Sequence, residues 1–345
     1  MTIARPAPSP FHVLARKWGR SFRARKHQGP TGIMRSEVNM PRIAVVGNCQ
    51  ALGVAEVLKY LLPNSFIKQS ISWEIQNWIS SYEDFVRDLA TFDHVFVQDV
   101  AFGNFPGANL ERLRQDLPNV VEFPIIVFPA FHPDLVYVSN KKKENSNFIL
   151  SPIGPYNSAI ALYAYKRDYT VIEALNLFKE NVYKRLGYFD FWDSSTDALL
   201  ANGKRLGFDL TENLARWSRE GCFMHSINHA KLIVLADIAQ LLLEKVGIRA
   251  RQNNWKDYVV DPAQMDAIWP VYTEVASKFA FNGSYIFKKP NYALKENTQF
   301  FTLDTFVSKS FESYKHFPKT DLLCERVDQW LADESLAAFL DKAAM

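Results

Sequence analysis

The chain has 345 residues, of which 48% are hydrophobic and 22% charged, and its formal net charge is +3 at pH 7. This length and composition are typical of a soluble globular protein with a sizeable core, built as one large domain or two smaller ones. The nearly balanced charge and the absence of basic residues interleaved with aromatics argue against a nucleic-acid partner. The chain contains no run of about 18 apolar residues, so no membrane-spanning helix is predicted.

The three cysteines, Cys49, Cys222 and Cys324, are odd in number and far apart. They therefore show neither a disulfide framework nor the spacing of metal ligands. Free cysteines suit a reducing compartment, so a cytoplasmic location is expected.

The first 40 residues form a basic arm. Residues 1–36 contain eight arginine and lysine residues and no acidic residue, and prolines interrupt the segment. This composition predicts disorder. The functional alternative is contact with an anionic lipid surface, at the inner face of the membrane, or with an acidic partner. The arm has no apolar stretch of the kind that a secretory signal needs.

Residues 41–150 alternate between strand-like and helix-like segments, which predicts an α/β core that carries the functional site. This order favours a parallel sheet flanked by helices, in a three-layer sandwich. The predicted strands are 43–46, 65–71, 94–98 and 120–127, and the predicted helices are 51–62, 73–89 and 108–117.

Residues 151–345 are predicted to be a large, mainly helical C-terminal extension packed on that core. The clearest amphipathic segment is 228–246, whose apolar residues recur at helical spacing. The other predicted helices are 158–167, 170–186, 194–206, 211–220, 302–316 and 325–343.

A polar turn, Gly47-Asn48-Cys49-Gln50, follows the first predicted strand and precedes the first helix. Ligands of open α/β sheets bind at the carboxyl ends of the strands, and a helix N-terminus can lower the pKa of a thiol. Cys49 is therefore a candidate nucleophile, and Asn48 and Gln50 are candidate donors to an oxyanion. The alternative is that Cys49 is a small buried apolar residue.

Two further segments end at the same edge of the predicted sheet. Gln98 closes the third strand, and His132 and Asp134 follow the fourth. His132 could act as a general base whose ring Asp134 orients. The alternative for each is an ordinary loop residue without a catalytic role.

Candidate ligand-binding residues lie at the predicted start of helix 228–246. Asn228 and His229, with His225 just before them, would suit an anionic group such as phosphate at a helix N-terminus. No glutamate follows His225, so the zinc motif His-Glu-x-x-His is absent and no metal is predicted. Lys141 begins a run of three lysines that either meets the phosphates of a nucleotide or forms a solvated loop.

Four motifs occur in this order: Gly47-Asn48-Cys49-Gln50, Gln98, Phe131-His132-Pro133-Asp134 and Asn228-His229. Together they resemble the WcbI-type polysaccharide biosynthesis family over about residues 41–315. Ala230 stands where that family is expected to have proline. The resemblance implies a coenzyme A-binding, acetyltransferase-like protein of capsule or surface-polysaccharide assembly. It also implies a flavodoxin-like sheet similar to that of SGNH-type esterases, with Cys49 at the place of their serine.

The resulting functional hypothesis is transfer of an acetyl group from acetyl-CoA to a sugar or glycan hydroxyl. His132 would take the hydroxyl proton, and Cys49 would accept the acetyl group or line its pocket. One alternative is a thiol-dependent carbohydrate esterase, and another is a non-catalytic carbohydrate-binding or assembly protein with stacking tryptophans. The residues expected to bind the carbonyl oxygen are Asn48, Gln50 and Gln98, those expected to bind the coenzyme are Asn228, His229, His225 and Lys141, and the stacking tryptophans are Trp73, Trp78 and Trp192.

Overall fold

The structure is a computed structural model that describes residues 40–99, 105, 107–142, 148–292 and 297–345. The predicted basic arm, apart from Met40, and the last residue of the lysine run, Lys143, lie outside the described residues. None of the helices in the described ranges is long and apolar enough to cross a membrane.

A four-stranded parallel sheet forms the centre of the α/β part, which confirms the predicted fold class. The spatial order is β2-β1-β3-β4, and each neighbouring pair is parallel. Gly47 pairs with Ile71, and Val46 pairs with Val97, so three strands end at one edge of the sheet. The strands are β1 (Arg42–Gly47), β2 (Phe66–Ile71), β3 (His94–Val97) and β4 (Val120–Glu122).

Helices cover both faces of this sheet. The side chains of β1 alternate between the faces, because successive residues of a strand point to opposite sides. Ala44 and Val46 pack in one core with α2 and α3, whereas Ile43 and Val45 pack in another with α1. The helices are α1 (Cys49–Leu61), α2 (Tyr82–Leu89) and α3 (Leu110–Asp116).

Two predicted elements of this part are shorter than expected. The segment 73–89 divides into a 3-10 turn, Ser72–Asn77, and α2. β4 ends at Glu122, and Pro124, which lacks the backbone N–H that a ladder needs, follows two residues later.

The rest of the chain is mainly helical, as predicted, with short antiparallel strand pairs. The predicted helices 170–186 and 325–343 are each two helices in the structure. The helices are α4 (Ala159–Lys166), α5 (Val171–Leu175), α6 (Glu180–Arg185), α7 (Phe191–Arg205), α8 (Thr211–Arg219), α9 (Leu232–Lys245), α10 (Thr273–Ser277), α11 (Leu303–Tyr314), α12 (Glu325–Ala332) and α13 (Glu334–Ala344). The strands are β5 (Leu135–Tyr137), β6 (Ser139–Asn140), β7 (Tyr156–Ser158), β8 (Phe287–Lys288), β9 (Phe300–Phe301) and β10 (Leu322–Leu323).

Helix α9 belongs to the same core as the sheet. It packs on α1 where Gly53 permits a close approach, because a Cβ atom at Gly53 would lie 2.4 Å from Cδ1 of Leu235. This contact brings the loop before α9 to the edge where β1 ends. A second large core joins β5, β7 and most of the remaining helices.

Candidate active site

The turn after β1 is held in place by its own capping residue and by a side chain from β3. Oδ1 of Asn48 accepts a hydrogen bond from the backbone N–H of Gln50 at 2.9 Å and so caps α1. The backbone N–H of Asn48 donates to Oε1 of Gln98 at 3.0 Å. Glycine is required at position 47, because a Cβ atom there would lie 2.4 Å from the same Oε1. Cys49 is thereby fixed at the first position of α1.

Gln50 and Gln98 are buried, and hydrogen bonds within the protein occupy both amides. Nε2 of Gln50 donates to the carbonyls of Ile126 and Asn228, each at 2.8 Å, and its Oε1 accepts from the N–H of Ile126 at 3.0 Å. Nε2 of Gln98 donates to Oε1 of Gln50 and to the carbonyl of Pro124, each at 3.3 Å. The predicted role of these side chains as oxyanion donors does not fit this geometry. They instead tie the turn to the loops around residues 125 and 228.

Cys49 meets His229 and Asp266 at the edge of the sheet. Sγ of Cys49, a ring nitrogen of His229 and a carboxylate oxygen of Asp266 all lie within 4.8 Å of one another. Nδ1 of His229 is 3.6 Å from Oδ2 of Asp266. The group therefore contains a thiol, an imidazole and a carboxylate, the side-chain types of nucleophile–base–orienter sites. The same donor set could also hold a zinc ion.

Burial sets the protonation states of this group. It raises the pKa of the Cys49 thiol to about 12, and the negative charges of Asp266 and Glu74 add to the effect, whereas the backbone N–H of Cys49 opposes it. The expectation that the helix N-terminus would lower this pKa is therefore wrong. Burial also lowers the pKa of His229, against the opposing effect of Asp266. A neutral thiol and a neutral imidazole therefore face each other at pH 7.

Tyrosines surround His229 and assign its tautomer. The hydroxyl of Tyr156 donates to Oδ1 of Asn228 at 3.0 Å and lies 3.3 Å from Nε2 of His229. Because that hydroxyl hydrogen is used, Nε2 is assigned as the protonated nitrogen that donates to Tyr156. Nδ1 then has the free lone pair, and no described residue hydrogen-bonds to it. Tyr292 donates to Oδ1 of Asp266 at 2.7 Å.

Asn228 lies in the site, but not as predicted. Its Nδ2 donates to the hydroxyl of Tyr137 at 2.9 Å, and its carbonyl accepts from Gln50. Helix α9 begins only at Leu232, so neither Asn228 nor His229 lies at a helix N-terminus. The phosphate site predicted for that terminus is therefore wrong in position.

His132 does not have the surroundings expected of the base. Its ring is 1% exposed, and neither ring nitrogen has a hydrogen-bond partner among the described residues. Burial lowers the pKa of His132 to about 3, the neighbouring His225 and Lys231 lower it further, and the backbone of Trp269 acts in the opposite direction. An imidazole with such a pKa is a weak proton acceptor near neutral pH.

Asp134 does not orient the His132 ring, contrary to prediction. Its Oδ1 accepts from the hydroxyl of Tyr188 at 2.7 Å and from the N–H of Ile160 at 3.0 Å. Its Oδ2 accepts from the hydroxyl of Tyr272 at 2.7 Å. The carboxylate thus joins three elements of the helical part, which is a structural role.

The two remaining residues predicted to bind the coenzyme are engaged elsewhere. Nε2 of His225 lies 2.9 Å from Oδ2 of Asp261 in a buried pair. Lys141 is exposed in the turn after β6, and its backbone N–H donates to the carbonyl of Asp321. Neither residue has a described contact with Cys49, so Asn228 and His229 are the predicted coenzyme residues that the structure brings to the site.

Asp266 was missed by the sequence reasoning. It lies in a loop after the 3-10 turn Pro262–Met265, more than 200 residues from Cys49 along the chain. The tyrosines Tyr137, Tyr156 and Tyr292 were missed as well. A single acid or tyrosine in a loop or short strand carries no pattern that identifies it, and only the folded chain brings these residues together.

Comparison with known proteins supports a relationship over most of the chain. The profile of a family described as "Polysaccharide biosynthesis enzyme WcbI" matches residues 42–251. A solved structure described as WcbI, a novel polysaccharide biosynthesis enzyme, aligns with a TM-score of 0.64 at 16% identity, over 89% of this chain and 99% of its own. It is described as the native protein without a disulfide bond between coenzyme A and one of its cysteines. The comparison with curated protein sequences gave no match.

Proposed function

Since the chain belongs to the WcbI family of polysaccharide biosynthesis enzymes, we propose that it transfers an acyl group from coenzyme A to a sugar hydroxyl. The observation that carries this proposal is the convergence of Cys49, His229 and Asp266 at the carboxyl edge of the sheet. The description of the related structure supports the choice of donor, because it names coenzyme A together with a cysteine of that protein.

In the proposed reaction, Nδ1 of His229 takes the proton of the acceptor hydroxyl while the hydroxyl oxygen attacks the acyl carbon. The carbon–sulfur bond of the thioester then breaks, and the proton passes from His229 to the sulfur of coenzyme A. The carboxylate of Asp266, 3.6 Å from Nδ1, stabilises the imidazolium that forms in between. The neutral state of His229 at pH 7 suits this role, because a protonated ring could not accept the proton.

Cys49 is assigned to the wall of the acyl pocket. A thiol with a pKa near 12 holds its proton, so direct transfer to the acceptor is favoured over a covalent acyl-cysteine. The backbone N–H of Cys49 at the start of α1 and the side-chain amide of Asn48 are the proposed donors to the carbonyl oxygen. These two groups take the place of Gln50 and Gln98 in the mechanism.

Two measurements on the wild-type protein test the proposal. Calorimetry should show binding of coenzyme A, and thiol should be released from acetyl-CoA faster when methyl hexosides are added as acceptors. Absence of coenzyme A binding would remove the donor. Release of acetate at the same rate without any acceptor would favour the thiol-dependent esterase.

Zinc-dependent deacylation is the second candidate function, because thiolate, imidazole and carboxylate within 4.8 Å are also a zinc donor set. A bound zinc ion would require the thiolate form of Cys49. Metal analysis of the purified protein separates the two candidates. About one zinc per chain, with loss of activity on chelation, would replace the mechanism above; activity that survives chelation would retain it.

A further inference from the structure

The 3-10 turn Ser72–Asn77 lies beside the candidate active site. It follows β2 directly, and Ile71 at the end of β2 pairs with Gly47 at the end of β1. Glu74 and Cys49 therefore leave neighbouring strands at the same edge of the sheet. Glu74 is close enough for its charge to act on the Cys49 thiol. The buried side chain of Ile75 anchors the turn in the core below.

Glu74 has a buried carboxyl oxygen that no residue in the described part of the chain satisfies. The residue is 8% exposed, and Oε1 has no hydrogen-bond partner among the described residues. Leaving a buried polar atom unpaired costs about 1–3 kcal/mol. Such groups are uncommon in folded proteins, and a ligand that supplies the missing donor is one explanation for them.

Two tryptophans with much of their surface open belong to the same segment, Trp73 directly before Glu74 in the turn and Trp78 directly after the turn. Trp73 is 53% exposed and Trp78 is 47% exposed. Exposed aromatic faces next to a hydrogen-bond acceptor fit a sugar, whose C–H face packs on the ring while its hydroxyls donate to the carboxylate. Glu74 and Asp266 both act on Cys49 with negative charge, so a neutral sugar fits beside them better than an anionic one.

We propose that the turn Ser72–Asn77 is the acceptor subsite, in which Glu74 accepts hydrogen bonds from the hydroxyls of a neutral hexose unit that stacks on Trp73. This inference rests on the proposed acyl transfer, because it supplies the sugar hydroxyl next to Cys49 and His229. It assigns substrate recognition to Glu74 and leaves proton transfer to His229.

Binding of neutral methyl hexopyranosides to the full-length protein tests the subsite, by saturation-transfer NMR and titration. The wild type should bind at least one of them. Glu74→Gln should weaken that binding about tenfold, as expected for loss of a hydrogen bond to a charged group. Trp73→Ala should also weaken it, because it removes the ring on which the sugar stacks. Phe66→Ala is the matched control, since Phe66 is an exposed aromatic at the opposite end of β2. It should leave binding unchanged.

Thermal stability separates recognition from a structural role. Removing an unpaired buried carboxylate should keep or raise the melting temperature of Glu74→Gln, whereas a structural role would lower it. The subsite would be overturned if the wild type bound no hexoside, or if Glu74→Gln bound hexosides as tightly as the wild type. Coenzyme A binding is measured on the same samples. If the wild type binds hexosides through Glu74 but does not bind coenzyme A, the acyl-transfer proposal is refuted and the sugar subsite is retained.

Discussion

Acidification should destabilise the protein through His132. The fully buried ring has a pKa of about 3 in the folded protein, against 6.5 for an ordinary histidine. Between these two values, the unfolded chain binds a proton that the folded chain excludes. Stability therefore falls as the pH decreases through this range.

The size of the effect follows from the same two pKa values. Each pH unit below the unfolded pKa lowers the free energy of unfolding by about 1.4 kcal/mol. Between pH 7 and pH 5, His132 alone should therefore remove about 2 kcal/mol. Replacing it by leucine, which has a similar volume and cannot titrate, should abolish this contribution.

Denaturant unfolding of the wild type and His132→Leu at pH 7 and at pH 5 measures this difference. The stability lost on acidification should be about 2 kcal/mol smaller in the variant. The control is His316→Gln, a change at an exposed histidine, which should retain the wild-type pH dependence. Equal losses in the wild type and His132→Leu would refute the assignment of His132 as a buried neutral residue.

Three further changes probe the active-site residues. Cys49→Ala should retain acyl transfer within about tenfold of the wild type in the thiol-release assay; a loss of several thousandfold would indicate a covalent acyl-cysteine. Asp266→Asn should move the acid limb of the pH–rate profile to lower pH, because the Asp266 carboxylate raises the pKa of His229. It should also speed alkylation of Cys49 by iodoacetamide, because the same carboxylate raises the pKa of the Cys49 thiol. An acid limb that moves to higher pH would contradict this reasoning. Gln50→Leu should lower the unfolding free energy by about 2–5 kcal/mol, because it leaves backbone groups of Ile126 and Asn228 unpaired; a loss below about 1 kcal/mol would show that Gln50 does not hold the turn.

The α/β core could be predicted because its signals are local. The β-branched run of β1 and the capping side chain of Asn48 mark the strand–turn–helix unit in a few consecutive residues. The start of α9 was misplaced for a physical reason. Asn228 resembles a capping residue, but its side chain bonds Tyr137 and Tyr156 instead.

The candidate site could be predicted only in part. Cys49, Asn228 and His229 stand out in the sequence as polar residues at the ends of elements, and the structure brings them together. The choice between His132 and His229 as base depends on what surrounds each ring, which no sequence pattern records. Asp266 reaches the site only because the chain after α9 returns to the edge of the sheet.

The proposed reaction is acyl transfer at Cys49, His229 and Asp266. The most direct test is the rate of thiol release from acetyl-CoA, with hexoside acceptors, by His229→Ala and His132→Leu. We expect His229→Ala to lose about 100- to 10,000-fold in rate, as for removal of a general base, while His132→Leu stays near the wild-type rate at pH 7. Near-normal transfer by His229→Ala, together with an inactive but folded His132→Leu, would contradict the account.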